Sequence, residues 1–348
     1  MLRYSLKRIV LAIITAFIIL TLTFFLVKSL PPAKMFAPDK NVVYAFYVDQ
    51  VNLGYAKEFA ELHPEFGTPL YQFDAGDIDK SAHIFYSTPV VEQYFSWIGN
   101  ILTKWDWGRS IKIEPNASAI LIIAERLPTS MSLNIVSVIL SVPLGIGLGI
   151  IAGLKKNTWV DHTISTLVMV FISIPSFVVI SFLIYSLAFK AGWFPTRWPT
   201  PDQSLQTKVL AYFIPVMALS FGSVCGYTRF VRAELCEVMS SEYLLLARTK
   251  GLTKNQAIIR HALRNAFVPI LPSILAEFIG IFGGSMILEN LYAIPGIGNL
   301  YIEALNAPDY NVLMVDMAIF TTVGLLAGIV LDLSYGFIDP RIRMGEKR

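Results

Sequence analysis

Residues 131–154 read MSLNIVSVILSVPLGIGLGIIAGL, a run of 24 positions without one Asp, Glu, Lys or Arg. As an α-helix it would be about 36 Å long, enough to cross a hydrocarbon layer of about 30 Å. A helix on a soluble core would carry an apolar stripe, whereas Leu, Ile and Val here surround the axis, the pattern expected in lipid. Five more segments read the same way: 9–27, 163–189, 209–228, 265–288 and 310–331. Four of the six carry no charged residue. The chain of 348 residues is 55% hydrophobic and 15% charged, against about 25% charged in a soluble domain. This excludes a soluble enzyme and predicts an all-α integral membrane protein with about six spans. The apolar run at 9–27 has 19 residues and no A-x-A-like site after it, so it reads as a retained span rather than a signal peptide.

Orientation follows from Lys and Arg in the short flanks. With the N-terminus inside, sixteen of them fall on the inner side, seven between 229 and 264, and only Lys190, Arg197 and Lys208 in the two short outer loops. Both termini are expected in the cytoplasm. The expected organisation is a cytoplasmic start and first span (1–30), an outer cap with an interfacial helix (31–127), a core of five spans (128–336) that includes the inner loop 229–264, and a cytoplasmic tail (337–348). The cap should end in a short helix within 111–127 lying at the outer interface. Trp97, Trp105, Trp107, Trp193 and Trp198 suit either an aromatic belt at headgroup level or ordinary packing.

The inner loop reads as two short helices meeting at a break. Ser240 or Ser241 caps the first and Glu242 sits in its first turn, while Lys250 falls in the last turn and Gly251 takes the left-handed position that ends helices. Thr253 with Gln256 makes a capping box for the second, along which Ile259, Ala262, Leu263 and Ala266 form an apolar stripe. Glu277 and Asp316 are the ionisable residues deepest in the spans, where charges face a bundle interior or an aqueous path. Either touches substrate or bonds a neighbouring helix. Gly280, Gly283, Gly284 and Ser285 allow close helix approach or leave room for a pore, and Glu289 orders the loop holding Pro295 and Gly296. Cys225 and Cys236 lie toward the cytoplasm, where a disulfide is not expected. His63, His83, His162 and His261 are too scattered for a metal site. No G-x4-G-K-[ST] loop and no H-E-x-x-H occur, so no catalytic or ATP-binding residue is assigned.

The stretch Ala247-Arg248-Thr249-Lys250-Gly251-Leu252, followed by Arg260-His261-Ala262-Leu263-Arg264-Asn265-Ala266 and Pro269, closely resembles the cytoplasmic signature of permease subunits of dipeptide/oligopeptide/nickel-type ABC importers. In the general form E-A-A-x3-G-x9-I-x-L-P, Leu245 stands for Glu, His261 for Ile and Arg264 for Pro, as the peptide-type branch looks. Further landmarks keep their order: Gln93-Tyr94, Trp107 to Ser110, Arg126 to Thr129, Ile174 to Phe177, Glu289, Pro295 to Gly298, Asp332, and Asp339 to Arg343. Two places depart: Pro31-Pro32-Ala33-Lys34 replaces P-G-D-P, and Asn311 follows Asp309-Tyr310 where Pro is common. The resemblance implies the type I importer permease fold in a bacterial cytoplasmic membrane. It also implies a second homologous permease as a heterodimer partner, two ATP-binding cassette subunits carrying ATP and Mg, an extracellular substrate-binding protein, a peptide substrate and surrounding lipid. No cofactor on this chain and no nucleic acid are implied. Glu242, Tyr243, Ala247, Arg248, Lys250, Gly251, Leu252, His261, Arg264 and Asn265 would couple to the ATPase; Glu277, Ser285, Glu289 and Asp316 are candidates for the substrate path. The competing readings are a nickel-type permease and a proton-coupled secondary transporter. The absence of histidine from the spans favours peptides over nickel, and the capped inner loop has no role in a secondary transporter.

Overall fold

The computed structural model describes residues 2–31, 35 and 38–338. The landmark 339–343, most of the expected tail and Pro32-Ala33-Lys34 lie outside the described residues. The helices are α1 (Leu2–Lys28), α2 (Lys40–Asn52), α3 (Val90–Lys104), α4 (Ala119–Leu154), α5 (Trp159–Ile172), α6 (Ser176–Leu183), α7 (Leu205–Ala211), α8 (Phe213–Met239), α9 (Glu242–Thr249), α10 (Lys254–Ala257), α11 (Leu263–Phe267), α12 (Leu271–Gly280), α13 (Met286–Leu291), α14 (Ile297–Asn306) and α15 (Tyr310–Ile338). Four helical stretches are long and apolar enough to cross a membrane, and two bent pairs bring the number to six.

The bends revise the sequence reading in two of the six segments. The expected span 163–189 turns by 96° between α5 and the helix that begins at Ser176. Pro175 causes this: it has no N–H to continue the ladder, and it pushes Ile174 out of the helical region. The expected span 265–288 instead starts at Lys254, bends by 51° before Leu271 and leaves the helix after Gly280. Pro269 and Pro272 flank that bend. A third correction concerns 111–127, where no separate interfacial helix forms. From Ala119 on, these residues are the first turns of α4, which runs unbroken through Pro128 and Pro143, because in an apolar medium a helix keeps its remaining backbone bonds around a proline.

The chain divides into two compact units, one built on 128–299 with the described parts of 1–12 and 323–348, the other on 13–127 with 300–322. In the second unit the cap contains a small antiparallel sheet that the sequence reading did not anticipate: β1 (Ala56–Phe59), β2 (Tyr71–Phe73) and β3 (His83–Ser87), ordered β1-β3-β2. Its centre is Phe73 and Phe85, packed with Met35, Val43, Phe46 and Tyr47. Burial alone would lower the pKa of His83, but hydrogen bonds with Glu58 and Asp79 outweigh it and hold the imidazole above its ordinary value. Trp97 and Trp107 are buried and Trp105 is exposed, so packing accounts for two of the three. At the N-terminus of α15 the carboxylate of Asp309 accepts from the Ser110 hydroxyl and from the N–H groups of Ile111, Lys112 and Ile113, at 2.5–3.1 Å. Asn311, the departure noted above, donates its amide to the Arg109 carbonyl at 2.7 Å, a contact proline cannot make.

In the first unit α4 and α8 lie side by side and parallel. Three contacts keep the same sequence offset: Ser137 to Ser220 (3.0 Å), Gly145 O to the Thr228 hydroxyl (3.2 Å), and Gly153 O to the Cys236 thiol (4.0 Å). Between them Gly145, Gly149 and Gly153 face Tyr227, Val231 and Leu235. A Cβ at Gly145 or Gly149 would stand 2.6 Å from the Cβ of Tyr227 or Val231, and one at Gly153 would stand 3.0 Å from Leu235 Cδ2. Apolar burial does not drive helices together in lipid, so close backbone packing over small residues is what holds this pair. Gly149→Leu is therefore expected to cost about 1–3 kcal/mol by overpacking, read as a lower thermal midpoint in detergent. Gly147→Ala, where an added Cβ meets nothing within 4 Å, is expected to raise it slightly.

Candidate functional site

The loop 229–264 folds as a stiff elbow. Helix α9 ends in a Schellman motif: Gly251 N–H donates to Arg248 O at 3.0 Å and Leu252 N–H to Ala247 O at 3.3 Å. Gly251 sits at φ +98°, a conformation that side chains other than glycine's strain to adopt. Two residues on, the capping box closes as expected: Gln256 N–H donates to the Thr253 hydroxyl at 3.4 Å, and Thr253 N–H donates to Gln256 Oε1 at 3.1 Å.

Two local expectations are corrected. Ser241 occupies the N-cap position of α9 but makes no cap bond; its hydroxyl instead donates to Val238 O at 2.6 Å. The apolar stripe is also changed at one position, Ile259, while Ala262, Leu263 and Ala266 keep the expected side. A π-helical turn at Ile258–Ala262 adds a residue to the turn and re-aims the face, so Ile258 is buried and Ile259 is 66% exposed. The buried set is Ala257, Ile258, Ala262 and Ala266, packed on Leu235 and Leu244 with Leu252 and Leu263 at the edge.

The outward face is the chemically informative one. Glu242, Tyr243, Arg248, Lys250, Gly251, His261, Arg264 and Asn265 are exposed, while Ala247 and Leu252 are half-buried. Leu245 (63% exposed), Leu246 (55%) and Ile259 (66%) are exposed as well. A cleft of about 240 Å³, lined by Met239, Ser241, Leu244, Leu245, Lys254 and Ile258, opens at the same place. Large apolar side chains left exposed among polar ones are a composition suited to contact with another protein.

The path candidates fall in different surroundings. Glu277 of α12 lies near the Tyr227 hydroxyl of α8. The Glu289 carboxylate is buried and accepts from the Ser130 hydroxyl (2.9 Å), Ser285 N–H (3.1 Å) and Asn299 N–H (3.0 Å). A Cβ on Gly296 would clash with both Glu289 and Ser130 at 2.3 Å. Ser285 and Glu289 thus belong to one loop-holding cluster. Asp316 of α15 lies in the other unit and is fully buried.

One pair escaped the sequence reading. Asp161, buried in the first turn of α5, receives the Arg232 guanidinium of α8 on both oxygens, at 2.5 and 2.8 Å, with Asn157 N–H (2.9 Å) and the Ser165 hydroxyl (3.2 Å) completing its shell. An acid in the first turn of a helix that follows a short basic loop was the available signal. Arg232 stands one turn before Leu235, so the pair ties α5 to the helix that carries the elbow.

Residues 145–344 match the model of the family described as the binding-protein-dependent transport system inner membrane component. The chain is 32% identical over 345 residues to the dipeptide transport system permease protein DppB of Lactococcus lactis subsp. cremoris (strain MG1363), covering 99% of this chain and 100% of that one. It is 31% identical over 344 residues to the oligopeptide transport system permease protein OppB of Escherichia coli (strain K12), covering 99% and 100%. A solved amino acid ABC transporter is 20% identical, covers 62% of this chain and 94% of that chain, and superposes with a TM-score of 0.46.

Asp161 is buried but the Arg232 side chain is 32% exposed, so removing Arg232 leaves a buried carboxylate short of two donors, at a cost of about 1–3 kcal/mol. Arg232→Met is expected to lower the thermal midpoint in detergent accordingly, and adding Asp161→Asn to recover more than half of the loss. A midpoint unchanged in the single variant would show that the pair does not hold α5 to α8.

Proposed function

The chain belongs to the family of binding-protein-dependent transport system inner membrane components, and from that premise we propose that it carries di- or oligopeptides across the cytoplasmic membrane by alternating access, driven by ATP-binding subunits that grip its elbow. It is a multi-pass permease subunit of an ABC importer, and its fold is the type I importer permease fold. The peptide substrate is supported by relatives that match end to end, the dipeptide and oligopeptide permeases named above. An extracellular binding protein would deliver the substrate, a second homologous permease would complete the pore, and both termini would lie in the cytoplasm.

The observation that carries the reading is the elbow's two-sidedness. Its inner face is locked to α8 through Leu235, Leu244, Ile258 and Ala262, while its outer face presents Tyr243, Leu245, Leu246 and Ile259 unburied. A connector that is stiff inside and adhesive outside transmits displacement. In this role Arg248, Lys250, His261, Arg264 and Asn265 supply polar contacts around the apolar centre, Glu242 meets a cation, and Gly251 leaves the approach open. Glu277 is the candidate of the first unit for contact with the peptide. The subunit needs no cofactor of its own; ATP and Mg would act on the partner subunits.

Gly251 gives the test, because an added Cβ there meets nothing within 4 Å. Substitution costs this chain only backbone strain, about 1–2 kcal/mol. Gly251→Trp is expected to leave the protein folded and in the membrane, and the binding protein's affinity for substrate unchanged, while abolishing substrate-stimulated ATP hydrolysis and uptake. Gly251→Asn, which tolerates the left-handed region, is expected to retain most of both. Normal stimulated hydrolysis in Gly251→Trp would refute the coupling role.

A further inference from the structure

Helix α3 has two apolar faces where a helix on a water-facing cap needs only one. Gln93, Tyr94, Trp97 and Asn100 are buried on the first. On the second, Val91, Phe95, Ile98 and Leu102 recur at helical spacing, with Phe95 68% and Leu102 79% exposed. Trp105, at the C-cap, is also exposed and extends this stripe by a turn. Glu92, Ser96 and Thr103 occupy a polar flank on the far side of the stripe. Three sectors, one packed, one apolar and bare, one polar, describe a helix lying at a boundary between two media.

The height of α3 on α1 fixes which boundary. The Tyr94 and Thr21 hydroxyls are 2.7 Å apart. Thr21 lies seven residues before Lys28, the end of α1, which is about 10 Å inside the helix end at 1.5 Å per residue. The Phe24 and Phe25 rings meet Tyr94 at 5.5 and 5.1 Å, and Phe24 meets Trp97 at 5.0 Å. The Lys28 amine reaches over the Phe24 and Tyr55 rings, 5.6 Å from each, the arrangement of a lysine that keeps its stem on apolar surface at a membrane edge. Leu22 and Leu26 of α1 are bare, as the outer surface of a span must be. From Phe25 that apolar surface passes to Tyr94 and on to Phe95, whose ring is 5.5 Å from Tyr94.

We infer that α3 is an interfacial helix that lays Val91, Phe95, Ile98, Leu102 and Trp105 into the acyl boundary of the leaflet at the Lys28 end of α1, with lipid as the occupant of the stripe. The membrane contact of this unit then widens by a flange beside α1. The flange would fix the cap's height and tilt above the bilayer, a constraint on any protein that docks from that side. It also takes over the place that the sequence reading assigned to 111–127.

Nitroxide labels at cysteines introduced by Phe95→Cys, Leu102→Cys, Glu92→Cys and Thr103→Cys test this in the full-length chain, purified with its partner subunits and reconstituted in vesicles of phosphatidylcholine and phosphatidylglycerol. The native Cys225 and Cys236 are buried and escape the label. The ratio of collisional accessibility to oxygen over a water-soluble nickel chelate is expected to be several-fold higher at 95 and 102 than at 92 and 103. Equal ratios at all four positions would place the stripe in water and overturn the inference. Exclusion of both reagents at 95 and 102 would also overturn it, in favour of a protein partner.

Discussion

Leu235 is the side chain through which the elbow and the bundle share one mechanical frame. It is fully buried, it belongs to the cluster that holds the elbow, and its Cδ2 lies 3.0 Å from where a Cβ on Gly153 of α4 would stand. A push on the elbow would reach α4 through that contact. One turn earlier, Arg232 clamps Asp161 and brings α5 into the same block. Well-packed interiors respond to displacement by moving as units rather than by compressing, so the elbow, α8, α4 and α5 form a natural lever.

Lipid imposes the rest of the design. Without an apolar driving force between spans, the helices rely on close backbone contact at Gly145, Gly149 and Gly153 and on short polar links such as Ser137 to Ser220. Such polar links are modest in energy but specific in register. The loop 285–299 is fixed in the same manner. Glu289 gathers Ser130, Ser285 and Asn299 around one buried carboxylate, and Gly296 is glycine because that carboxylate and the Ser130 hydroxyl fill the space where a Cβ would go. In the other unit Asp309 does the equivalent for 110–113 with four donors on one oxygen.

Much of this was legible in the residues because its causes are local. Apolar runs locate spans by length, Gly251 reads as a left-handed terminus, and Thr253 with Gln256 reads as a capping box. What was not legible depends on register or on partners distant in sequence. The π-helical turn at Ile258–Ala262 buries Ile258 in place of Ile259, and periodicity counted at 3.6 residues per turn cannot register it. The 96° bend at Pro175 was signalled by the proline, but a 27-residue apolar window averages over it. The cap's sheet was hidden because Ile84, Phe85 and Tyr86 are all buried, which removes the alternation that marks a strand. The glycines of α4 were visible at every fourth position, but only the structure shows that Tyr227, Val231 and Leu235 enter between them.

Cross-linking from position 246 tests the central claim most directly. A photoactivatable reagent on Leu246→Cys, in the full-length chain purified from membranes with its partners, is predicted to join this chain to a nucleotide-hydrolysing subunit, with a yield that changes when ATP is bound. The same reagent on Leu102→Cys should not do so. Failure to capture such a subunit from position 246, or labelling of Leu246→Cys by a membrane-impermeant maleimide applied outside intact cells, would contradict the account.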